Sequence, residues 1–542
     1  MGAAHVELVP TRHAARVTLV RPPALVFVKS LSTSGPIPPL GVAYLAAALR
    51  QVGHHVSLID AVGEGIDQAY DFESPVGVLR RIGLSPREVV DRIPPDTQVL
   101  GLSQMFLHEW PDTREIARLA RARLPDATII TGGENATAFA TWVFQQSPEM
   151  DAVASGEGEM TLIEVADRVA AGTPLHGIAG LTLRPERAAG ATAATLPVRI
   201  RNLEALPRPA WDLVPLENYW TAGSFLGVER GRSIPVLGTR GCPYRCSFCS
   251  SPQMWTTRYV TRDPADLVDE IASYVGLYGI ENFDFCDLTA ITQRSWTLDL
   301  CDELDARNLS LTWQLPIGTR SEALDPEVLL RLKRTGCRNI TYSPESGSQR
   351  MLERWDKRLD IEHLMGSVAE AKRLGMVTHV NTIIGHPDER YLDLAKTWLL
   401  LLRAAVAGCD SASPIMFCPY PGSADFAKLV DDGRLVVDEA FIYVALSRGS
   451  GSHRSYNRRM PAPLLRFLHL AIVLTFYGTA TVRHPTRLLH HLRVVRGKEG
   501  ESDLVDMLFR VKRRSILGSG TSAPPGEAAP HRVGDGVREA AV

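Results

Sequence analysis

The sequence has no surplus of either charge: 59 Lys and Arg stand against 61 Asp and Glu in 542 residues. Nothing in that balance draws the chain to nucleic acid or to an anionic membrane, so net charge names no partner and nucleic acid is not expected. An export leader is also lacking. The opening MGAAHVELVPTRHAARVTLV has no apolar stretch before a small-residue cleavage site, and the chain is read as cytoplasmic. Nor is there a clean apolar run of bilayer length. The longest, residues 464–482, is broken by Arg466 and His469 and stops at Arg483, His484 and Pro485, which predicts a buried core helix and no transmembrane segment. Cysteine is scarce, at eight residues. Without an export signal these should be reduced thiols, better suited to metal ligation or catalysis than to disulfides.

The length calls for about two to four units with sizeable cores. Short β-type runs at 17–20, 55–59, 99–102, 128–131 and 152–154 alternate with helical patterns at 40–52, 111–123 and 136–145. That alternation predicts an α/β, doubly wound, Rossmann-like domain over residues 1–171. Ligands of such sheets lie beyond the carboxyl ends of the strands. Residues 172–230, rich in turn formers, read as a linker. A second αβ alternation, with strands at 234–237, 282–285, 311–314, 339–343, 378–384 and 413–417, predicts a partial (β/α)6 barrel over 231–430. Residues 431–516 read as mostly helical, with basic clusters at Arg483, Arg487, Arg493, Arg496 and 510–514 that suit a solvated face better than an anion site. A Gly, Ala, Pro and Ser rich tail, 517–542, is expected to be disordered.

Cys242, Cys246 and Cys249 cluster in RGCPYRCSFCSSP, directly after the predicted strand 234–237. Three thiolates on one loop can hold three irons of a four-iron, four-sulfur cluster and leave the fourth iron open to a substrate or cosubstrate. Zinc competes for such residues, but a structural zinc site needs four ligands, and neither a fourth cysteine nor a histidine follows closely. The remaining cysteines, Cys286, Cys301, Cys337, Cys409 and Cys418, suit small core positions. Cys286 and Cys337 draw interest as possible hydrogen donors, because strand ends and barrel mouth are expected to coincide there.

At these residues the sequence resembles the radical S-adenosylmethionine (SAM) superfamily, whose loop reads C-x3-C-x-aromatic-C, with Phe248 as the aromatic here. YSPESGSQRMLERWDK, NTIIGHPDE and CPYPGS, in that order, resemble three further segments of its barrel, with His386 where an apolar residue is commoner. The resemblance implies that Cys242, Cys246 and Cys249 bind a [4Fe–4S] cluster whose open iron chelates SAM. It also implies that SAM is cleaved to a hydrogen-abstracting 5′-deoxyadenosyl radical, with Phe248, Gln314 and Glu345 as SAM contacts. FCDLTA, from Phe285 to Ala290, departs from the family's "DDxF" and leaves the role of Asp287 open.

PPLGVAYLAAALRQVGHHVSLIDA, TGGENATA and VASGEGEMTLIEVA are similar to the cobalamin-binding domain that precedes many such barrels. Asp60, Ser103, Gln104, Gly132, Gly133, Glu157 and Gly158 are the contacts this implies, the glycines allowing a flat macrocycle close to the backbone. Asp60 and Gly65 keep the spacing of the D-x-H-x-x-G motif, but Val62 stands where its cobalt-ligating histidine would be. A nucleotide is the alternative ligand, although no G-x-G-x-x-G follows the first strand.

Together the resemblances, covering residues 16–430, imply a cobalamin-dependent radical SAM methyltransferase. It would move a methyl group from methylcobalamin to an unactivated carbon of a small, secondary-metabolite intermediate, as in antibiotic biosynthesis, with electrons from a flavodoxin or ferredoxin. The alternatives are a cobalamin-using radical SAM cyclase or ring-rearranging enzyme, and a non-catalytic cobalamin or redox sensory module.

Overall fold

The computed structural model of the chain describes residues 8–28, 35–185, 197, 199–447 and 454–486. Its N-terminal part contributes β1 (Arg16–Arg21), β2 (Ala24–Phe27), β3 (His55–Asp60), β4 (Ala69–Ser74), β5 (Gly77–Ile82), β6 (Val99–Ser103), β7 (Thr128–Gly132), β8 (Ala152–Ala154) and β9 (Leu181–Leu183). Six of these form one sheet in the order β3-β1-β6-β7-β8-β9, parallel except for β9 at the edge. Residues 17–20 of β1 are all buried because both faces of the sheet are covered. Val17 and Leu19 pack under the Ala-rich helix Leu40–Gln51 and helix Gly158–Ala170, while Val20 joins the opposite core with Ile116 and Ala117 of helix Trp110–Arg123.

Three strands expected by no sequence pattern, β2, β5 and β4, make a separate antiparallel sheet. Its arginines are paired: Arg80 with Asp71, and Arg81 with Asp112 at 2.6 Å. The single helix expected at 136–145 is two, Glu134–Ala138 and Ala140–Gln146. They part at Phe139, whose φ of −127° leaves helical geometry while its ring packs on Phe426.

The second part contributes β10 (Ser233–Val236), β11 (Thr239–Arg240), β12 (Val260–Thr261), β13 (Asn282–Phe285), β14 (Thr312–Thr319), β15 (Cys337–Glu345), β16 (Val377–Ile384) and β17 (Ser411–Met416). β10, β13, β14, β15, β16 and β17 lie side by side in sequence order, all parallel, with helices between them. The sheet is open, since β10 and β17 each end it. Large side chains fill its core, among them Phe283, Trp313, Tyr342 and Trp355. Asp325 and Asp360 cap the helices Pro326–Arg334 and Ile361–Arg373 by accepting from first-turn amides.

The apolar helix Ala462–Arg483 is long and apolar enough to cross a membrane, and only part of it is buried. Leu465, Ile472, Phe476 and Ala480 form a covered stripe, whereas Phe467, Leu470, Leu474 and Val482 are exposed. The expectation of a buried core helix is corrected in part: the helix packs over β17 and helix Tyr391–Val406 with one face uncovered by the described residues. The basic clusters from Arg487 onward and the tail at 517–542 lie outside the described residues.

Candidate active site between the two sheets

Carboxyl strand ends of both sheets converge. In the second sheet these ends lead to Asp287, Glu345, His386 and the segment 417–423. The cysteine loop stands beside them, entered through β11 and left through helix Ser251–Trp255. Gly241 opens the loop at φ +89°, where a Cβ would lie 2.1 Å from the Arg258 carbonyl oxygen, so only glycine makes this turn. Asp287 steadies the same approach. It accepts from the Gly238 amide at 3.2 Å and from Thr239 Oγ1, and burial pushes its carboxyl up to about 7.

Cys242, Cys246 and Cys249 are partly exposed, unpaired thiols on this loop. Among the described residues no three His, Cys, Asp or Glu side chains converge closely enough to hold one metal ion. Three thiolates on one loop without a fourth neighbouring ligand suit a multi-iron cluster, whose ligands bind separate irons, better than a four-coordinate structural zinc. Burial pushes all three thiols up, and Arg320 and Lys357 pull Cys242 and Cys246 back down. Arg320 stacks 3.6 Å from the Tyr244 ring centroid, and Lys357 Nζ lies 5.9 Å from that of Phe248. These cations suit a loop that would carry an anionic cluster.

Glu345 ends β15 with φ +66°, a left-handed conformation that a side chain rarely adopts. Its carboxylate is held by the nearly buried Lys357, Nζ to Oε1 3.0 Å. Phe248 meets Trp355 edge-on at 5.3 Å, and both Lys357 and Glu345 lie close enough to act on Cys246. Gln314 does not join them. Its amide nitrogen donates to Leu226 O, Val228 O and Asp284 Oδ1, and its oxygen accepts from Asn339 Nδ2 and the Val228 amide. These bonds tie it to residues 226–228 and to its neighbouring strands, away from the cysteine loop. Cys337 begins β15 and so lies at the end away from the mouth, wholly buried, whereas Cys286 follows β13 at the mouth.

On the other sheet, Ser103 ends β6 opposite Gly132, and Gln104 follows. Gln104 is fully buried, yet neither its amide oxygen nor its nitrogen has a hydrogen-bond partner. Buried amides are rarely left so, and this one fits a ligand with polar groups. Met105 and Phe106 next to it are exposed, and both their amides donate to the Glu109 carboxylate, 3.1 and 3.0 Å, which fixes the loop. A polar orphan beside exposed apolar side chains suits the corrin ring and its amide arms. Gly133 has φ +127°, and a Cβ there would lie 2.6 Å from the Gln104 carbonyl oxygen. The requirement for glycine at 133 thus comes from the protein's own backbone as well. At Gly132 and Gly158 a Cβ would meet Ala154 O at 3.3 Å and Leu45 Cδ2 at 3.1 Å.

Two carboxylates expected near cobalamin are spent within the protein. Asp60 is buried, accepts from Tyr219 OH at 2.7 Å and lies 3.4 Å from Arg21. Glu157 binds Arg199 at 2.7 Å, Arg240 at 3.1 Å and the Ile200 amide at 2.8 Å. Arg240 belongs to β11, which leads into the cysteine loop and pairs with β12, so Glu157 joins the first sheet's strand ends to that approach; a second contact is Glu134, which accepts from Ser250 beside Cys249. Sequence reasoning missed Lys357, Glu134 and Arg320. Only Glu134 carried a signal, as a charged residue directly after Gly132-Gly133 at a helix start.

Known proteins agree with this two-sheet arrangement. A model of the B12 binding domain matches residues 30–166, and a model of the Radical SAM superfamily matches residues 236–400. The chain belongs to the cobalamin-dependent radical SAM enzymes. The cofactors of such an enzyme are a [4Fe–4S] cluster, SAM and cobalamin. An uncharacterised methyltransferase of Pyrococcus horikoshii is 27% identical over 75% of this chain and 82% of its own length. Cytidylyl-2-hydroxyethylphosphonate methyltransferase of Streptomyces wedmorensis is 27% identical over 81% of this chain and 86% of its own. The anaerobic magnesium-protoporphyrin IX monomethyl ester cyclase of Rubrivivax gelatinosus is 26% identical, over 76% and 70%. Among solved structures, the radical SAM methyltransferase TsrM of Kitasatospora setae shares the fold with a TM-score of 0.58 at 19% identity, covering 78% of each chain.

Proposed function

We propose that this enzyme transfers a methyl group from methylcobalamin to an unactivated carbon of a small biosynthetic intermediate of secondary metabolism. The observation that carries the reading is the opposition of two sites: the unpartnered Gln104 amide at one set of strand ends and the cysteine loop at the other, joined through Glu134 and Ser250. In this reading residues 1–171 hold cobalamin, 172–230 link, and 231–430 hold the cluster and SAM, with helix Ala462–Arg483 packed on the second sheet at β17. The electrons come from a flavodoxin or ferredoxin.

Cys242, Cys246 and Cys249 hold the cluster, and Lys357 keeps Glu345 in place to bind SAM. Bound there, the cluster and SAM supply hydrogen abstraction and cobalamin supplies the methyl group. Gln104 hydrogen-bonds the corrin periphery, while Met105 and Phe106 give it an apolar bed. Phe248 and Trp355 keep water from the cysteine side.

Cyclisation is the rival activity, since cyclases stand among the relatives. Methyl transfer of this kind consumes two SAM molecules, releasing 5′-deoxyadenosine and S-adenosylhomocysteine together; cyclisation releases no S-adenosylhomocysteine. The test is an anaerobic incubation with reductant and deuteromethyl-SAM, beginning with cytidylyl-2-hydroxyethylphosphonate, the compound that names one relative. Label in a product and equal amounts of both SAM products support the proposal. Turnover with 5′-deoxyadenosine alone contradicts it.

A further inference from the structure

Ser247, between Cys246 and Cys249, is fixed through three of its atoms. Its amide donates to Trp355 O at 3.1 Å, its carbonyl accepts from the Asp425 amide at 3.0 Å, and its hydroxyl donates to Asp425 Oδ2 at 2.8 Å. The same Oδ2 accepts from His386 Nε2 at 3.1 Å, while Arg354 lies 3.5 Å from Oδ1. Both His386 and Asp425 are buried.

The hydrogen bonds assign the imidazole tautomer. The Asp388 amide donates to His386 Nδ1 at 3.2 Å, so that nitrogen is the acceptor and Nε2 carries the proton offered to Asp425. The ring cannot turn away. It is held edge-on against Trp355 at 5.3 Å and Phe417 at 4.7 Å, and Asn457 Nδ2 grips its carbonyl oxygen at 2.6 Å.

Resting on the reading of the three cysteines as cluster ligands, we propose that His386 is a positioning residue for the cluster. It orients the Asp425 carboxylate, Asp425 pins Ser247, and Ser247 sets how Cys246 and Cys249 present their sulfurs. An apolar residue at position 386, commoner in this motif, would fill the same space but give Asp425 no proton. Such a residue would leave a buried carboxylate one donor short at the loop's midpoint.

The test compares reconstituted wild type, His386→Phe, His386→Gln and Ser247→Ala by the electron paramagnetic resonance spectrum of the reduced cluster and by iron release to a ferrous chelator. Thermal midpoints are recorded alongside. His386→Phe keeps a ring between Trp355 and Phe417, and is expected to fold while altering the spectrum and releasing iron roughly two- to tenfold faster, the range one buried hydrogen bond commands. His386→Gln restores a donor and is expected to return toward wild type; Ser247→Ala shifts in the same direction as His386→Phe. A His386→Phe cluster identical to wild type in spectrum and release overturns the proposal, as does faster release that only tracks a lower thermal midpoint or that glutamine does not rescue. Wild type that takes up no cluster overturns instead the cluster reading beneath it.

Discussion

Ser250 donates a hydrogen bond to Glu134 although 116 residues separate them in sequence. Through this contact the helix after Gly132-Gly133, on the cobalamin side, touches the residue next to Cys249. Gly422 tightens the junction: at φ +84° a Cβ there would strike Gln253 and crowd Ala138, so the 418–423 segment closes on both. Glu134 is half-buried, and its desolvation pushes its carboxyl up. Glu134→Ala should weaken cobalamin binding and change the cluster's spectrum together, whereas Glu134→Gln, which keeps the bond to Ser250, should leave both near wild type. Cobalamin titration and the spectrum of the reduced cluster check this.

Gln104→Leu removes two unsatisfied buried polar atoms from the free protein and two potential partners from the ligand. The apo-protein should be unchanged or slightly more stable, and cobalamin affinity should fall roughly tenfold, about what one or two hydrogen bonds contribute. Equilibrium binding of hydroxocobalamin, with cluster iron measured in parallel, separates this from a general defect.

Gly133→Ala places a Cβ against the Gln104 backbone in a left-handed conformation. The cost should be about 1–3 kcal/mol of stability, seen as a lower thermal midpoint, with loss of cobalamin binding because the loop 104–109 must move.

Lys357→Met leaves the partly buried Glu345 without its cation. Losing this charged hydrogen bond should cost about 1–3 kcal/mol, and SAM affinity should fall with it. The double variant Lys357→Met/Glu345→Gln should recover stability but not SAM binding, as measured by thermal melting and by SAM titration of the clustered protein.

Asp284 bears a carboxyl that burial raises to about 7, against the donors Gln314 and Asn282. Folded protein therefore keeps a proton that unfolded chain releases near pH 4, so this stabilisation is present below about 4 and is lost as pH rises toward 7. Asp284→Asn, which does not titrate, should show a shallower fall of thermal midpoint between pH 4 and 7 than wild type.

Both parallel sheets were legible because their strands are short apolar runs bounded by turn residues, and burial on two faces demands such runs. The β4–β5 hairpin was not, because Asp71, Arg80 and Arg81 interrupt the pattern and are neutralised by partners that no local rule reveals. The cysteine loop was legible from spacing alone. Asp60 and Glu157 were assigned to cobalamin by motif, while Tyr219, Arg199 and Arg240, which occupy them, come from remote parts of the chain. Likewise Gln314 sits at the expected strand, but its saturation by 226–228, Asp284 and Asn339 is a property of the assembled sheet. Helix Ala462–Arg483 shows the limit of composition: its apolar content was plain, but which face is covered depends on where β17 and helix Tyr391–Val406 lie.

The most direct test of the central claim is the iron, sulfide and cobalt content of anaerobically reconstituted protein, wild type and Cys246→Ala, followed by reductant, SAM and assay for 5′-deoxyadenosine. The account predicts about four irons and about one cobalt per wild-type chain, with 5′-deoxyadenosine released. Cys246→Ala should keep the cobalt and lose both the iron and the product. A wild type that binds cobalamin but takes up no iron-sulfur cluster, or one that makes 5′-deoxyadenosine with Cys246 replaced, would contradict it.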